Sequence, residues 1–132
     1  MENCAAFIEA HAREDGPFLL EFYGGEPLMA FDRIREFVDL MKDIGKRKNL
    51  NQNFKIYTNG TILTDKILQF ISDHENIFVQ VSLDGPQAAN DALRYFRGGN
   101  ASRSSHAVVA QNVEQMMRLF PDRIFVLSLI HI

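Results

Sequence analysis

The sequence predicts an alternating α/β protein built on a parallel sheet, and two patterns carry that expectation. Apolar spacing switches between helical and extended periods from end to end, in the order αβαβαβαβ. Three of the extended runs also close on a polar, glycine-bearing turn that leads into helical sequence rather than back into a strand. Strands joined in this way run parallel, through right-handed crossovers.

Residues 2–14 have helical spacing, with Cys4, Ile8 and Ala12 on one face, and Gly16-Pro17 ends that helix. Residues 18–23 follow as a strand. Pro27 suits a first helical turn, with the main helix of this unit starting near Asp32. Ile34, Phe37, Val38, Met41 and Ile44 form its apolar stripe. The basic run Gly45-Lys46-Arg47-Lys48 complements the dipole at its C-terminus. Residues 54–58 form the second strand. Thr64 then caps a helix that buries Ile67, Phe70 and Ile71. The third strand, 77–83, alternates strictly, with Ile77, Val79, Val81 and Leu83 on one side and Gln80 and Ser82 on the other. A helix over 105–120 carries Val109, Val113, Met116, Met117 and Phe120, the methionine pair being core, and Pro121 stops it. Residues 124–129 make a fourth strand.

The chain has 132 residues, 46% of them hydrophobic and 23% charged, which fits one domain with a real core. Its net charge of −3 argues against nucleic acid or an anionic membrane as partner. No apolar run is long enough to span a bilayer and no signal-peptide pattern opens the chain, so a reducing cytoplasm is the expected compartment. A single cysteine, Cys4, can form neither an internal disulfide nor a multi-thiolate metal site. None of the four histidines has ligand spacing, and no residue is assigned as a metal ligand or a catalytic group.

The chemistry gathers where each strand gives way to a helix, the edge at which α/β sheets bind ligands. Phe22-Tyr23-Gly24-Gly25-Glu26-Pro27-Leu28 is the most informative stretch. Glycines let the backbone approach a ligand closely, and a fixed carboxylate accepts hydrogen bonds from an ammonium group. Tyr57-Thr58-Asn59-Gly60-Thr61 and Val81-Ser82-Leu83-Asp84-Gly85-Pro86 repeat the logic. Each turn alone has an ordinary explanation. Gly24-Gly25-Glu26-Pro27 is also a tight loop with a glutamate at a helix N-terminus. Asn59-Gly60 is also a type I′ hairpin signal, rejected because Thr61-Ile62-Leu63 leads straight to a capped helix. Arg94 and Arg97, in a glycine-rich loop, have the setting of solvated surface charges. Glu21 and Tyr23 share one strand face, as do Gln80 and Ser82, which suits either a barrel interior or a solvated face.

As a set, Phe-Tyr-Gly-Gly-Glu-Pro-Leu, Tyr-Thr-Asn-Gly-Thr, Ser-Leu-Asp-Gly-Pro and Asn90-Asp91-Ala92-Leu93-Arg94 resemble the radical S-adenosylmethionine superfamily. The similar branch holds the anaerobic sulfatase-maturating enzymes and peptide maturases with a C-terminal SPASM domain. The resemblance runs from about residue 2 to residue 123. It implies a partial (β/α) barrel, truncated at both ends, with residues 1–126 forming the second to fifth βα units. It implies that Gly24, Gly25 and Glu26 contact the methionine ammonium of the cofactor, that Ser82 reaches the ribose or methionine, and that Arg94 pairs with the methionine carboxylate. Thr58 and Asn59 line the same cavity, and Asp84 joins the cofactor-binding set.

The implied mechanism is reductive cleavage of S-adenosylmethionine by a 4Fe-4S cluster, and the 5′-deoxyadenosyl radical then takes a hydrogen atom from a peptide or protein side chain. An electron donor such as flavodoxin or ferredoxin is implied as well. The cluster requires three cysteines in a CxxxCxxC loop ahead of the first helix here, and this sequence lacks them. Cys4 falls after where that loop ends. The chain as written is therefore expected to be an inactive fragment of such an enzyme. The other reading is a clusterless α/β protein that binds a nucleoside or amino-acid ligand without catalysis. Residues 127–132 are either a native strand or a non-native tail, since they resemble the in-frame translation of a sequencing-library transposase adapter.

Overall fold

The computed structural model describes residues 2–96 and 103–128. It contains helices α1 (Glu2–His11), α2 (Phe31–Lys48), α3 (Asp65–Ser72), α4 (Gln87–Leu93) and α5 (Ser105–Leu119). The strands are β1 (Pro17–Phe22), β2 (Asn51–Thr58), β3 (Ile77–Ser82) and β4 (Ile124–Leu127). They form one four-stranded sheet in sequential order, and every neighbouring pair is parallel. That is the alternating, partial α/β arrangement expected from the sequence.

One face of the sheet is buried. Phe54 and Ile56 of β2 and Ile77, Val79 and Val81 of β3 join the apolar stripes of α2, α3 and α5 in a single core. The stripes expected for α2 and α3 are the buried ones observed, and Thr64 caps α3 by accepting the Ile67 amide. Pro27 opens a 3-10 turn, Pro27–Ala30, that runs into α2. Asn49 ends α2 in the left-handed conformation and donates its amide to Gly45, beyond the expected basic last turn. The opposite face is open, with Leu19, Tyr23, Phe125 and Leu127 all exposed.

Several boundaries and faces differ from expectation. The first helix stops at His11, and the residue it buries is Ala5, with Ile8 and Ala12 half-buried and Cys4 exposed. Met117 is exposed while Met116 is buried, because successive helical residues point about 100° apart and a pair cannot share one face. Strand β2 starts at Asn51. Its polar Asn51-Gln52-Asn53 lacks strand propensity and is held by its partners instead: Asn51 donates to Gly16 O and Asn76 Nδ2 to Gln52 O. The sequence predicts no element over 87–93, where the structure has α4, its alanine-rich sequence after Pro86 being helix-forming; Arg94, expected in a glycine-rich loop, is its C-cap. Arg97 and residues 129–132 of the C-terminal segment lie outside the described residues; Leu127, within them, pairs with Ser82 in the sheet.

Two contacts set the helices against the strand ends. Gly60, just past β2, has φ +74°, and a Cβ there would lie 2.5 Å from Val81 Cγ1 and 2.9 Å from Val109 Cγ1. Only glycine permits both that backbone and that approach. At the α4–α5 junction, Asp91 accepts the His106 amide (2.8 Å) and the Ser105 hydroxyl (3.0 Å), holding the N-terminus of α5. The His106 amide, then the Ser104 hydroxyl, lower the Asp91 carboxyl well below its ordinary 3.8.

Gly60→Ala should destabilise the chain by about 2–4 kcal/mol, from left-handed strain plus overpacking, read from denaturant unfolding. A lowered native pKa means that the unfolded state binds more protons in acid, so the stability Asp91 contributes is complete above about pH 4 and is lost as pH falls further. Asp91→Asn should therefore flatten the fall in unfolding midpoint between about pH 5 and about pH 3, measured against the parent chain.

Candidate functional site

The site is assembled at the carboxyl edge of the sheet from the turns that follow β1, β2 and β3. After Phe22 the chain turns through Gly24 (φ +110°) and Gly25 (φ +55°), angles that side-chain-bearing residues rarely adopt. A Cβ on either would meet nothing within 4 Å, so the glycines serve the turn and leave its backbone bare toward the cleft.

Glu26 follows and bridges two turns. Its Oε1 accepts the Leu28 amide (3.1 Å), capping the 3-10 turn, and the Thr58 hydroxyl (2.7 Å). Its Oε2 accepts the Asn59 amide (2.7 Å). A carboxylate has about four acceptor positions, so one on Oε2 remains beside these three bonds. Thr58 is buried, and its hydroxyl also accepts the Gly60 amide (3.0 Å). It is a brace. Asn59 Oδ1 accepts both the amide and the hydroxyl of Thr61, which folds the turn on itself, and Asn112 Nδ2 of α5 donates to Gly60 O (2.8 Å).

The opposite charge comes from the helix that follows the third turn. Arg94, at the end of α4, donates Nε to Asp84 Oδ2 at 2.6 Å, and the Asp84 side chain is 6% exposed. Asp84 thus reaches the site through Arg94. The two Nη groups of Arg94 make no hydrogen bond to the protein among the described residues, and neither does the Ser82 hydroxyl. Beneath Asp84, Asn90 is 1% exposed and satisfied on both sides of its amide. Its Oδ1 accepts the Asp84 amide (3.1 Å), and its Nδ2 donates to Ser105 Oγ (3.0 Å).

Tyr23, Gly24, Gly25, Tyr57, Thr58, Asn59, Ser82, Arg94 and Leu127 line one cleft of about 330 Å³. A second lobe, of about 710 Å³, shares Gly25, Asn59 and Arg94 and adds Glu26, Asn90 and Tyr95. All the sequence-identified residues line these lobes except Asp84, which touches them through Arg94. On the open sheet face just below, Tyr57 donates its hydroxyl to Glu21 (2.5 Å), and that bond pushes the phenol above its ordinary value. Tyr23 packs edge-on against Tyr57, and Lys55 Nζ stands 5.0 Å from the same ring.

Sequence reasoning missed the inward roles of Asn90, Ser105 and Asn112. Asn90 stands beside Asp91 in the Asn-Asp-Ala-Leu-Arg motif, and the helical composition of 87–93 is the signal that turns it inward. Asn112 has no local signal, because its partner lies 52 residues away in the chain.

No family model matches the chain. An uncharacterised protein of Methanocaldococcus jannaschii is 36% identical over 88 residues, 67% of this chain and 29% of that protein. The radical SAM cyclopropyl synthase TigE of Paramaledivibacter caminithermalis is 32% identical over 83 residues, 63% of this chain and 16% of its own length. The cysteine-type anaerobic sulfatase-maturating enzyme of Clostridium perfringens is 33% identical over 88 residues, covering 61% and 21% of the two chains. This chain therefore spans less than a third of each of these relatives. Among solved structures, anSMEcpe with bound AdoMet superposes with TM-score 0.77 at 21% identity, over 96% of this chain and 33% of that one. At that identity the superposition establishes the fold alone. Sequence relatives and motif set agree: the chain is similar to radical S-adenosylmethionine (radical SAM) enzymes, among them the anaerobic sulfatase-maturating enzymes, and it shares their fold.

Proposed function

We propose that the cleft binds the methionine half of S-adenosylmethionine, in an enzyme that modifies a peptide or protein side chain. The observation that carries this reading is that Gly24, Gly25, Ser82 and Arg94, from the turn after β1, the end of β3 and the end of α4, line one cleft. The residues present fit the cofactor. The remaining acceptor position of Glu26 Oε2, with the glycine carbonyls, suits an ammonium group, and a planar guanidinium suits a carboxylate. Ser82 and Asn59 can hydrogen-bond what lies between those charges. In this superfamily the bound cofactor supplies a radical that takes a hydrogen atom from the substrate, while the protein binds and orients.

A 4Fe-4S cluster does not fit these residues. Cys4 is the only cysteine of the sequence and is exposed on α1, and no group of three metal-ligating side chains occurs among the described residues. In the proposed function, cluster thiolates come from outside this chain's residues. The peptide substrate is supported by the sulfatase-maturating relatives and by a neighbour of the same fold, anSMEcpe, solved with a bound peptide. An electron donor such as flavodoxin or ferredoxin and a reducing cytoplasm complete the proposal. The named relatives favour it over the clusterless binding protein.

S-adenosylmethionine titrated anaerobically into the complete gene product should bind, and a reductant should then release 5′-deoxyadenosine. Absence of binding would overturn the reading. Glu26→Gln sets an amide donor against the Asn59 or Thr58 donor, so affinity should fall about tenfold or more and the unfolding midpoint should drop with it. Unchanged affinity would remove Glu26 from the site.

A further inference from the structure

The Arg94 arm is held by a closed ring of hydrogen bonds in which Asn90 takes part twice. Its side-chain Oδ1 accepts the Asp84 amide at 3.1 Å. Asp84 Oδ2 accepts Arg94 Nε at 2.6 Å. The Arg94 amide returns to the Asn90 carbonyl at 2.7 Å. The guanidinium is thereby fixed at its root and at Nε, and only the two Nη groups are left to meet a ligand. From the ring, Asn90 Nδ2 reaches Ser105 Oγ at 3.0 Å and anchors the assembly to the first turn of α5.

We infer that Asn90 is the positioning residue for carboxylate recognition, setting the direction of Arg94 through Asp84. The inference rests on the proposed pairing of Arg94 with the methionine carboxylate. An asparagine is suited to this place because one buried side chain must accept from a main-chain amide and donate to a hydroxyl. Alanine at this position removes the Asn90 acceptor of the Asp84 amide and opens the ring, so that Asp84 and the guanidinium it holds shift together. A merely structural asparagine would weaken every ligand alike. A positioning asparagine weakens the ligand that carries the carboxylate.

The test compares S-adenosylmethionine with its decarboxylated analogue, which keeps the ammonium, sulfonium and nucleoside, by calorimetric titration of the complete gene product. In the parent protein the carboxylate should improve affinity by about tenfold or more, the range of a charge-assisted pair. Arg94→Ala should bring that ratio to about one. Asn90→Ala should cut the ratio at least about threefold and leave the analogue's affinity within about twofold. Ser105→Ala, which loosens the anchor without opening the ring, should lower Tm and keep the ratio. If Arg94→Ala leaves the ratio intact, both the carboxylate pairing and this inference fail. If Arg94→Ala abolishes it but Asn90→Ala weakens both ligands equally, or neither, the inference alone is overturned. It is overturned too if Ser105→Ala changes the ratio as much as Asn90→Ala does.

Discussion

The site depends on the Glu26 carboxylate. A parallel sheet delivers its strands to one edge, but it does not fix the turns beyond that edge. Glu26 ties the turn after β1 to the turn after β2 by accepting from Leu28, Thr58 and Asn59 at once. Each of these donors would otherwise point at the cleft or lie unpaired beside it, and an unpaired buried donor costs about 1–3 kcal/mol. The same bonds hold the Asn59-Gly60 segment, which Asn112 grips from α5 and which packs on Val81 and Val109. One carboxylate thus links the first strand, the second strand and, through Gly60, the helix before the fourth.

The parts of this structure legible in the sequence are those set by neighbours in the chain. Thr64 announces its helix because an N-cap bonds three residues ahead, and β3 announces itself because its alternation is strict. Gly24-Gly25-Glu26 marks the site because its backbone angles demand glycine. What stays hidden is set by distant partners. Nothing in Asn51-Gln52-Asn53 suggests a strand until Gly16 and Asn76 supply the hydrogen bonds. Thr58 reads as a cavity-lining residue from its place in the turn, and its bracing bond to Glu26, 32 residues earlier, has no local signal. The short α4 escapes notice because one buried asparagine among alanines gives no stripe, although the composition itself favours a helix.

The open sheet face bears on the same site from below. Glu21, Lys55 and Tyr57 stand on adjacent strands, with Glu21 and Lys55 opposite each other in register. The Tyr57 ring forms part of the cleft lining, while its hydroxyl is committed to Glu21. That bond orients the ring, and Tyr23 packed on its edge does so again. The polar positions that the sequence shows alternating along β1 and β3 therefore form a surface continuous with the cleft. In the described residues that face is open to solvent, with Leu19, Tyr23 and Phe125 exposed on it.

On the proposed reading, the cleft meets a ligand whose ends are an ammonium and a carboxylate. The chain sets one anion and one cation against those ends, and each is already partnered within the protein. Glu26 carries three donors before any ligand arrives, and Arg94 carries Asp84. Such partnering reduces the desolvation cost of holding a charge in a half-buried place, because neither group waits bare for its ligand. It also reduces freedom, since a glutamate with one acceptor position left and a guanidinium with only its Nη groups left can each bind in few directions. The turn at Gly24-Gly25 completes the arrangement, because a bare backbone between two fixed charges admits a small ligand without moving either. Recognition of the two ends then follows from where the protein's own bonds hold these two groups.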